Sequence, residues 1–233
     1  SASSAASDGY SGQGSTAVDL VVAMEAGRIK ALWVMATNPV VGLPNADFVR
    51  HALKTCPFVV LSDCVAGTDT AAFADMVLPA AAWGEKDGTV TNSERRISRQ
   101  RAFMAPPGEA QPDWRIVSEV ARRMGFADAF TYRNPAEIFR EHAALSGFEN
   151  GGERFFDISG LAGLSDAAYD ALEPVRWPMR GAGGTPRLFS DGVFATPSGR
   201  ARFVAPASTV ERLANESAFP LTLNSGRLRD QWH

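Results

Sequence analysis

The side chains with the clearest potential for chemistry are five polar residues that follow apolar runs or open a helix: Asn38, Ser62, Asp63, Lys86 and Asp113. If the runs are parallel strands, their carboxyl ends meet at one edge of a sheet, which is where open α/β sheets bind ligands. A carboxylate at the position of Asp63 often accepts hydrogen bonds from a ribose or a base in dinucleotide-binding folds. Asp113 could offer acceptor oxygens to a purine in the same way.

Each of these residues also has a purely structural interpretation. Asn and Ser-Asp are ordinary turn and capping residues after strands. An acidic residue such as Asp113 in the first turn of a helix complements the helix dipole. On position alone, the binding and structural interpretations are about equally favoured.

Two other groups of residues, one charged and one rich in glycine, point less clearly to a site. Glu94, Arg95, Arg96 and Arg99 could bind phosphates in a bidentate fashion, although a solvated charged surface is more common. The segment 12–17 matches the glycine-rich dinucleotide pattern, but no strand precedes it, so we interpret the match as chance.

The cysteines and histidines give no sign of a metal site. Cys56 and Cys64 are the two cysteines of the chain, too few for a four-cysteine iron–sulfur cluster, and we interpret them as small, partly buried structural residues. The three histidines show no metal-ligand spacing.

Composition excludes several classes of partner. The chain has 233 residues, of which 45% are hydrophobic and 21% charged, as in a globular protein with a substantial core. A net charge of −3 argues against general nucleic-acid binding. No apolar run approaches the roughly 18–20 residues of a membrane span, and no signal peptide is visible. We therefore expect neither nucleic acid nor a membrane as a partner, and a cytoplasmic location.

The elements that must position the polar residues alternate along the chain. Helical patterns at 17–26 and 45–54 separate apolar runs at 31–36, 57–62 and 76–80. Such runs, without a polar alternation, predict a parallel sheet covered on both faces by helices. The fold class is therefore α/β, with a Rossmann-like dinucleotide-binding domain.

The rest of the chain is less regular. Residues 81–111 are rich in turn signals and are expected to form loops. Helices are predicted at 112–124, where Ile116, Val120 and Met124 form an apolar stripe, and at 134–146 and 165–172. A β-hairpin is predicted at 187–195, and a strand at 219–224.

Several strings in the sequence resemble one enzyme family. They are ALWVMATNPVVGLPNADFVRHAL (31–53), VVLSD (59–63), ADMVLPAAAWGEKDGTVTNSERRISRQ (74–100), PPGEAQPDW (106–114) and LTLNSGRLRDQWH (221–233). Together they are similar to the molybdopterin oxidoreductases, and within that family to the catalytic subunits of assimilatory nitrate reductases. The resemblance runs from about residue 16 to the end, and the string around 75–101 is its most specific part.

The resemblance implies a bis-molybdopterin guanine dinucleotide cofactor with molybdenum. The Asn of the T-N-P turn corresponds to Asn38, the guanosine-binding Ser-Asp pair to Ser62 and Asp63, and two further cofactor contacts to Lys86 and Asp113. A C-terminal S-G-R…W-H motif contributes Ser225, Gly226, Arg227, Trp232 and His233. We therefore expect a flexible arm or linker at 1–15, an α/β cofactor-binding domain at 16–130, a helical and hairpin segment at 131–215, and the truncated start of a β-barrel domain at 216–233.

The implied activity of the parent enzyme is the two-electron reduction of nitrate to nitrite in nitrate assimilation. Electrons would come from a ferredoxin, a flavodoxin or an NADH-linked reductase, through a 4Fe–4S cluster bound outside this chain. The cluster-binding and molybdenum-ligating cysteines of the family have no counterpart here, so we expect no catalytic or metal-ligating residue and an inactive fragment. A formate dehydrogenase or other family member, and a non-catalytic α/β nucleotide-binding or interaction module, remain as alternatives.

Overall fold

Two short sheets, one parallel and one antiparallel, organise the computed structural model, which describes residues 16–181, 183–205 and Leu221. The helices are α1 Ala17–Glu25, α2 Pro39–Gly42, α3 Ala46–Thr55, α4 Asp113–Ala121, α5 Pro135–Gly147 and α6 Asp166–Asp170. The strands are β1 Leu32–Met35, β2 Val59–Asp63, β3 Met76–Pro79, β4 Gly88–Thr91, β5 Arg96–Gln100 and β6 Val175–Arg176. The chain divides into one unit that ends at Leu188 and another that begins at Phe189.

The parallel sheet has the strand order β1-β2-β3. Leu32 lies opposite Val59 across the first pair, and Val60 lies opposite Met76 across the second. The carboxylate of Asp75 accepts a hydrogen bond of 2.7 Å from the backbone N–H of Val59, which ties the start of β3 to β2. The predicted α/β class and the parallel pairing of the three apolar runs are confirmed.

The helices beside this sheet begin where the capping residues predict. The hydroxyl of Thr16 accepts from the backbone N–H of Asp19 at the start of α1, and Gly27, with φ of 69°, follows its end. The side chain of Asn45 accepts from the N–H of Phe48 at the start of α3. These bonds satisfy N–H groups that would otherwise lack a partner within the helix.

The first hydrophobic core lies on one face of the parallel sheet. It contains Met24 of α1, Val49 and Leu53 of α3, and Val59 of β2, all at most 2% exposed. Full burial of such a side chain stabilises the fold by about 1.5–3 kcal/mol. The edge strand β3 is only partly covered, because Met76 and Val77, which point to opposite faces, are 48% and 42% exposed. That helices cover both faces of the sheet stays a prediction. Unbroken apolar runs indicate burial but do not identify what covers each face.

The antiparallel sheet replaces the loops that were predicted for residues 81–111. Strands β4 and β5 form a hairpin, and β6 pairs with β5. At the turn, the side-chain oxygen of Asn92 accepts hydrogen bonds of 3.0 Å from the N–H groups of Glu94 and Arg96. Arg95 adopts a left-handed backbone with φ of 69°. The hairpin was missed because its strands carry mostly polar and charged side chains.

A second core joins this sheet to the later helices. Ile97 of β5 packs with Phe139 and Ala143 of α5, and with Ile158 and Tyr169. The helices predicted in this region are confirmed as α4, α5 and α6, with α5 capped by Asn134 and α6 by Ser165.

The apolar stripe predicted on the first of these helices is shorter than expected. The regular part of α4 ends at Ala121, and a wider turn with Gly125 at φ of 95° follows. Met124 is 68% exposed, so it does not extend the buried stripe of this helix.

The prediction of a hairpin at 187–195 is wrong, because residues 187–205 contain no strand. Phe189 has a left-handed backbone with φ of 60°, which breaks an extended segment. Within the second unit, the rings of Phe189 and Phe194 stack with centroids 4.7 Å apart, and the N–H of Gly199 donates to the carbonyl of Thr196 at 2.9 Å.

Some expectations cannot be compared with this fold. The arm at 1–15 lies outside the described residues, as do the barrel segment and all of the strand at 219–224 except Leu221. Among the residues that are described, no helix combines the length and the apolar character needed to cross a membrane.

Candidate functional site

A cavity of about 220 Å³ opens at the carboxyl ends of the three parallel strands. Its lining residues are Ala36, Thr37, Asn38, Ser62, Asp63, Cys64, Ala80, Ala81, Lys86 and Asp113. The structure thus brings together all five polar residues chosen from strand ends and helix starts. The five candidates from the C-terminal motif, Ser225, Gly226, Arg227, Trp232 and His233, lie outside the described residues.

Asn38 is fixed at the cavity by a threonine from a distant turn. Its side-chain oxygen accepts hydrogen bonds from the hydroxyl of Thr70, at 2.6 Å, and from the backbone N–H of Thr70, at 3.2 Å. Thr70 is fully buried, and its hydroxyl oxygen accepts in turn from the N–H of Val40. With its oxygen engaged, Asn38 has its amide N–H groups left to donate. Thr70 was not predicted, because it lies in an irregular turn and acts across 32 residues.

The chain turns sharply just before Asn38. Ala36 has a left-handed backbone with φ of 53°, while its N–H continues the sheet by donating to the carbonyl of Ser62 at 3.0 Å. This conformation costs a non-glycine residue about 1–2 kcal/mol. The strain is local to the cavity wall, which is common where a backbone is shaped for binding.

Ser62 supports the inner wall of the cavity. The residue is fully buried, and its hydroxyl oxygen accepts a hydrogen bond of 2.8 Å from the indole N–H of Trp33 on the neighbouring strand. The contact of Ser62 with a ligand stays a prediction. Trp33 was not singled out from the sequence, since its apolar character fits any strand.

Asp63 ends β2 and has one carboxylate oxygen engaged in the turn that follows. Its Oδ1 accepts from the backbone N–H of Val65 at 3.1 Å. Its Oδ2 has no hydrogen-bond or salt-bridge partner within residues 16–181 and 183–205. The side chain is thus both a turn residue and a source of one free acceptor at the cavity.

Lys86 and Asp113 form a salt bridge across the cavity wall. The Lys86 Nζ and the Asp113 Oδ2 are 2.6 Å apart, and each side chain is 30% exposed. The backbone of Lys86 is held by the side-chain amide of Gln100, which donates to the carbonyls of Trp83, at 2.6 Å, and Lys86, at 3.2 Å. Asp113 is fixed at the start of α4. The sequence suggested both residues, but not that they bind each other.

The arginines considered as possible phosphate ligands bind within the protein. The side chain of Arg99 is only 4% exposed, salt-bridged to Asp170 at 3.1 Å and stacked on the ring of Tyr169 at 4.2 Å. Arg95 donates to the carbonyls of Trp177 and Thr185. Phosphate binding, which the sequence made less favoured than a solvated charged surface, therefore gains no support for these two arginines.

The remaining two members of this charged group also bind within the protein. Arg96 forms a salt bridge with Glu94, which in turn binds Arg176. Hydrogen bonds from Arg96 and Arg176 lower the pKa of Glu94. No cluster of three or more His, Cys, Asp or Glu side chains in the part of the chain that the structure describes is arranged to hold a metal ion.

Comparison with known proteins adds to this geometry. Residues 2–123 match the family model of the molybdopterin oxidoreductases. The chain belongs to the molybdopterin oxidoreductase family. The resemblance noted from its motifs is thereby confirmed at the level of the family.

The relatives of this chain include enzymes named for two different substrates, nitrate and formate. A nitrate reductase of Klebsiella oxytoca is 55% identical over 94% of this chain and 25% of its own length. An F420-dependent formate dehydrogenase subunit alpha of Methanocaldococcus jannaschii is 35% identical over 90% of this chain and 29% of its own length. The chain thus spans about a quarter of the length of the curated relatives that it matches.

One solved structure shares the fold of this chain. Acetylene hydratase from Pelobacter acetylenicus superposes with a TM-score of 0.55 over 78% of this chain and 23% of its own, at 23% sequence identity. At this identity the likeness concerns the fold alone.

Proposed function

We propose that this chain binds the guanine dinucleotide portion of a molybdopterin cofactor, as one part of a nitrate reductase. The observation that carries the proposal is the convergence of Asn38, Asp63, Lys86 and Asp113 on one cavity, although they come from four separate segments. Family membership makes a molybdopterin cofactor with molybdenum the expected ligand of the whole enzyme.

The groups at the cavity fit a guanine nucleotide. The amide of Asn38 offers N–H donors, and the free Oδ2 of Asp63 offers an acceptor. Guanine carries acceptors at N7 and O6 and an amino donor at N2. Lys86 is the cation of the lining and would meet a phosphate. At about 220 Å³ the cavity is smaller than a typical small-molecule pocket, so it suits one end of a dinucleotide.

The residues of this chain would bind and orient the cofactor but would not perform the redox step. Asn38 and Asp63 fix the direction of the base by neutral and charged hydrogen bonds. When bound, the cofactor supplies the oxygen-atom chemistry at molybdenum, whereas the protein supplies position and electrostatics. The dinucleotide form, the 4Fe–4S cluster outside this chain, the donor protein and the cytoplasmic location belong to the same proposal.

Nitrate is the proposed substrate of the parent enzyme. The identity to the nitrate reductase, 55%, is well above the 35% to the formate dehydrogenase. The formate dehydrogenase is nevertheless a relative of the same family, so formate is the second candidate.

A substrate test on the full-length parent enzyme separates these two candidates. Purified enzyme with an artificial electron donor is expected to convert nitrate to nitrite, with one nitrite formed for each two electrons consumed. The same preparation with an artificial acceptor is expected to leave formate unchanged. Formate oxidation without nitrate reduction would assign the chain to a formate dehydrogenase instead.

A further inference from the structure

Lys86 is already neutralised by a carboxylate of the same cavity. Of the residues that line the cavity, it is the one cation, and its ammonium lies 2.6 Å from Asp113. Asp63 adds a second carboxylate, so the lining carries two negative charges and one positive charge. A phosphate that approaches Lys86 must therefore compete with Asp113 and meet repulsion from both carboxylates.

Both partners of the salt bridge are held in place through neighbouring structure. Gln100 is 9% exposed and fixes the carbonyl of Lys86, and Asp113 stands at the first position of α4. Each side chain is 30% exposed, so the pair is shielded more than a pair of freely solvated surface charges. The competition between Asp113 and a phosphate is thus built into the cavity.

We propose that Asp113 is a specificity-determining residue that weakens phosphate binding at Lys86, so that tight binding in this cavity requires a base in addition to phosphate groups. By neutralising Lys86, Asp113 weakens the attraction for a bare phosphate or pyrophosphate. A guanine nucleotide overcomes this because its base also hydrogen-bonds to Asn38 and Asp63. The inference rests on the proposed function, since it concerns the same cavity.

The test compares inorganic pyrophosphate with GDP as ligands of the 233-residue chain and of its Asp113→Asn variant. In the variant, Lys86 loses its counter-ion, and pyrophosphate is expected to bind about two- to fivefold more tightly, the factor for one partly exposed ion pair. GDP, which carries a diphosphate too, is expected to gain by a similar factor. Titration calorimetry at low ionic strength gives both dissociation constants, and the gain should shrink as salt is added.

Two controls connect the effect to Lys86. The double variant Asp113→Asn with Lys86→Gln should lose the gain, because the released ammonium is absent. Asp47→Asn removes one negative charge from the exposed pair between Asp47 and Arg50, which does not line the cavity, and should leave pyrophosphate binding unchanged. Thermal melting of each variant verifies that it is folded.

The outcomes separate the inference from the proposed function. If wild type binds GDP but folded Asp113→Asn binds pyrophosphate no more tightly than wild type, the inference is overturned and the proposed function stands. An equal gain in pyrophosphate affinity in Asp47→Asn would show that the effect comes from net charge alone, which would also overturn the inference. If wild type binds neither ligand, the inference and the proposed function are both contradicted.

Discussion

Replacing Asp63 by asparagine is expected to weaken guanine nucleotide binding about ten- to a hundredfold, with little change in thermal stability. Asparagine keeps an oxygen that can accept from the N–H of Val65, so the turn after β2 is preserved. It loses the charge that strengthens a hydrogen bond to the ligand, worth about 1.5–3 kcal/mol. That free energy corresponds to the stated loss of affinity. Calorimetry with GDP, and molybdenum content in the full-length enzyme, measure the effect.

The alanine variant of the same residue is the matched control. Asp63→Ala removes both the charge and the acceptor for Val65, so it should lose the same affinity and in addition about 1 kcal/mol of stability. An asparagine variant that keeps its affinity, together with an alanine variant that loses only stability, would mean that Asp63 is a turn residue and not a ligand.

Asp157→Ala is expected to lower the free energy of unfolding by about 2–4 kcal/mol. The aspartate is 5% exposed and accepts from the N–H and hydroxyl of Ser159, the amide of Asn150 and the guanidinium of Arg180. Truncation removes the acceptor that these donors share, next to Ile158 of the second core. Denaturant unfolding measures the loss. Asp191→Ala, which removes one exposed bond to Val193, should cost no more than about 1 kcal/mol, and an equal loss in both variants would contradict this explanation.

The same aspartate makes the stability of the fold depend on pH. Burial opposes ionisation of Asp157, but hydrogen bonds from Ser159 and the charge of Arg180 outweigh it and hold the pKa below its ordinary value of 3.8. Because the folded state favours the ionised form, this stabilisation is present above pH 3.8 and is lost as the pH falls through the lowered pKa. Between neutral pH and pH 3, the free energy of unfolding should therefore fall less steeply for Asp157→Asn than for wild type. Equal slopes would contradict the assignment.

Local patterns in the sequence were sufficient for the parallel sheet and its helices. Unbroken apolar runs predicted β1, β2 and β3, and capping residues such as Thr16 and Asn45 located the helix starts. The β4–β5 hairpin has no such pattern, because its buried Gln100 and Arg99 are held by hydrogen bonds, a salt bridge and a ring contact rather than by apolar packing. Sequence periodicity detects hydrophobic burial but does not detect polar burial of this kind.

The cavity was predictable for a different reason. Parallel strands bring their carboxyl ends to one edge, so residues after separate strands converge without any local signal linking them. The side chains that support them were not predictable, since Thr70 reaches Asn38 across 32 residues and Trp33 reaches Ser62 across 29. Such contacts depend on the folded geometry.

The most direct measurement of whether a nucleotide occupies this cavity is the rate at which Cys64 reacts with a thiol reagent. The chain has two cysteines, of which Cys64 is exposed and lines the cavity, whereas Cys56 is 7% exposed and serves as the internal control. GDP at a hundred times its dissociation constant is expected to slow modification of Cys64 by roughly a hundredfold, in proportion to the ligand-free fraction, and to leave Cys56 unaffected. Tandem mass spectrometry distinguishes the two positions. Modification of Cys64 at an unchanged rate in saturating GDP would contradict the assignment of the cavity as the nucleotide site.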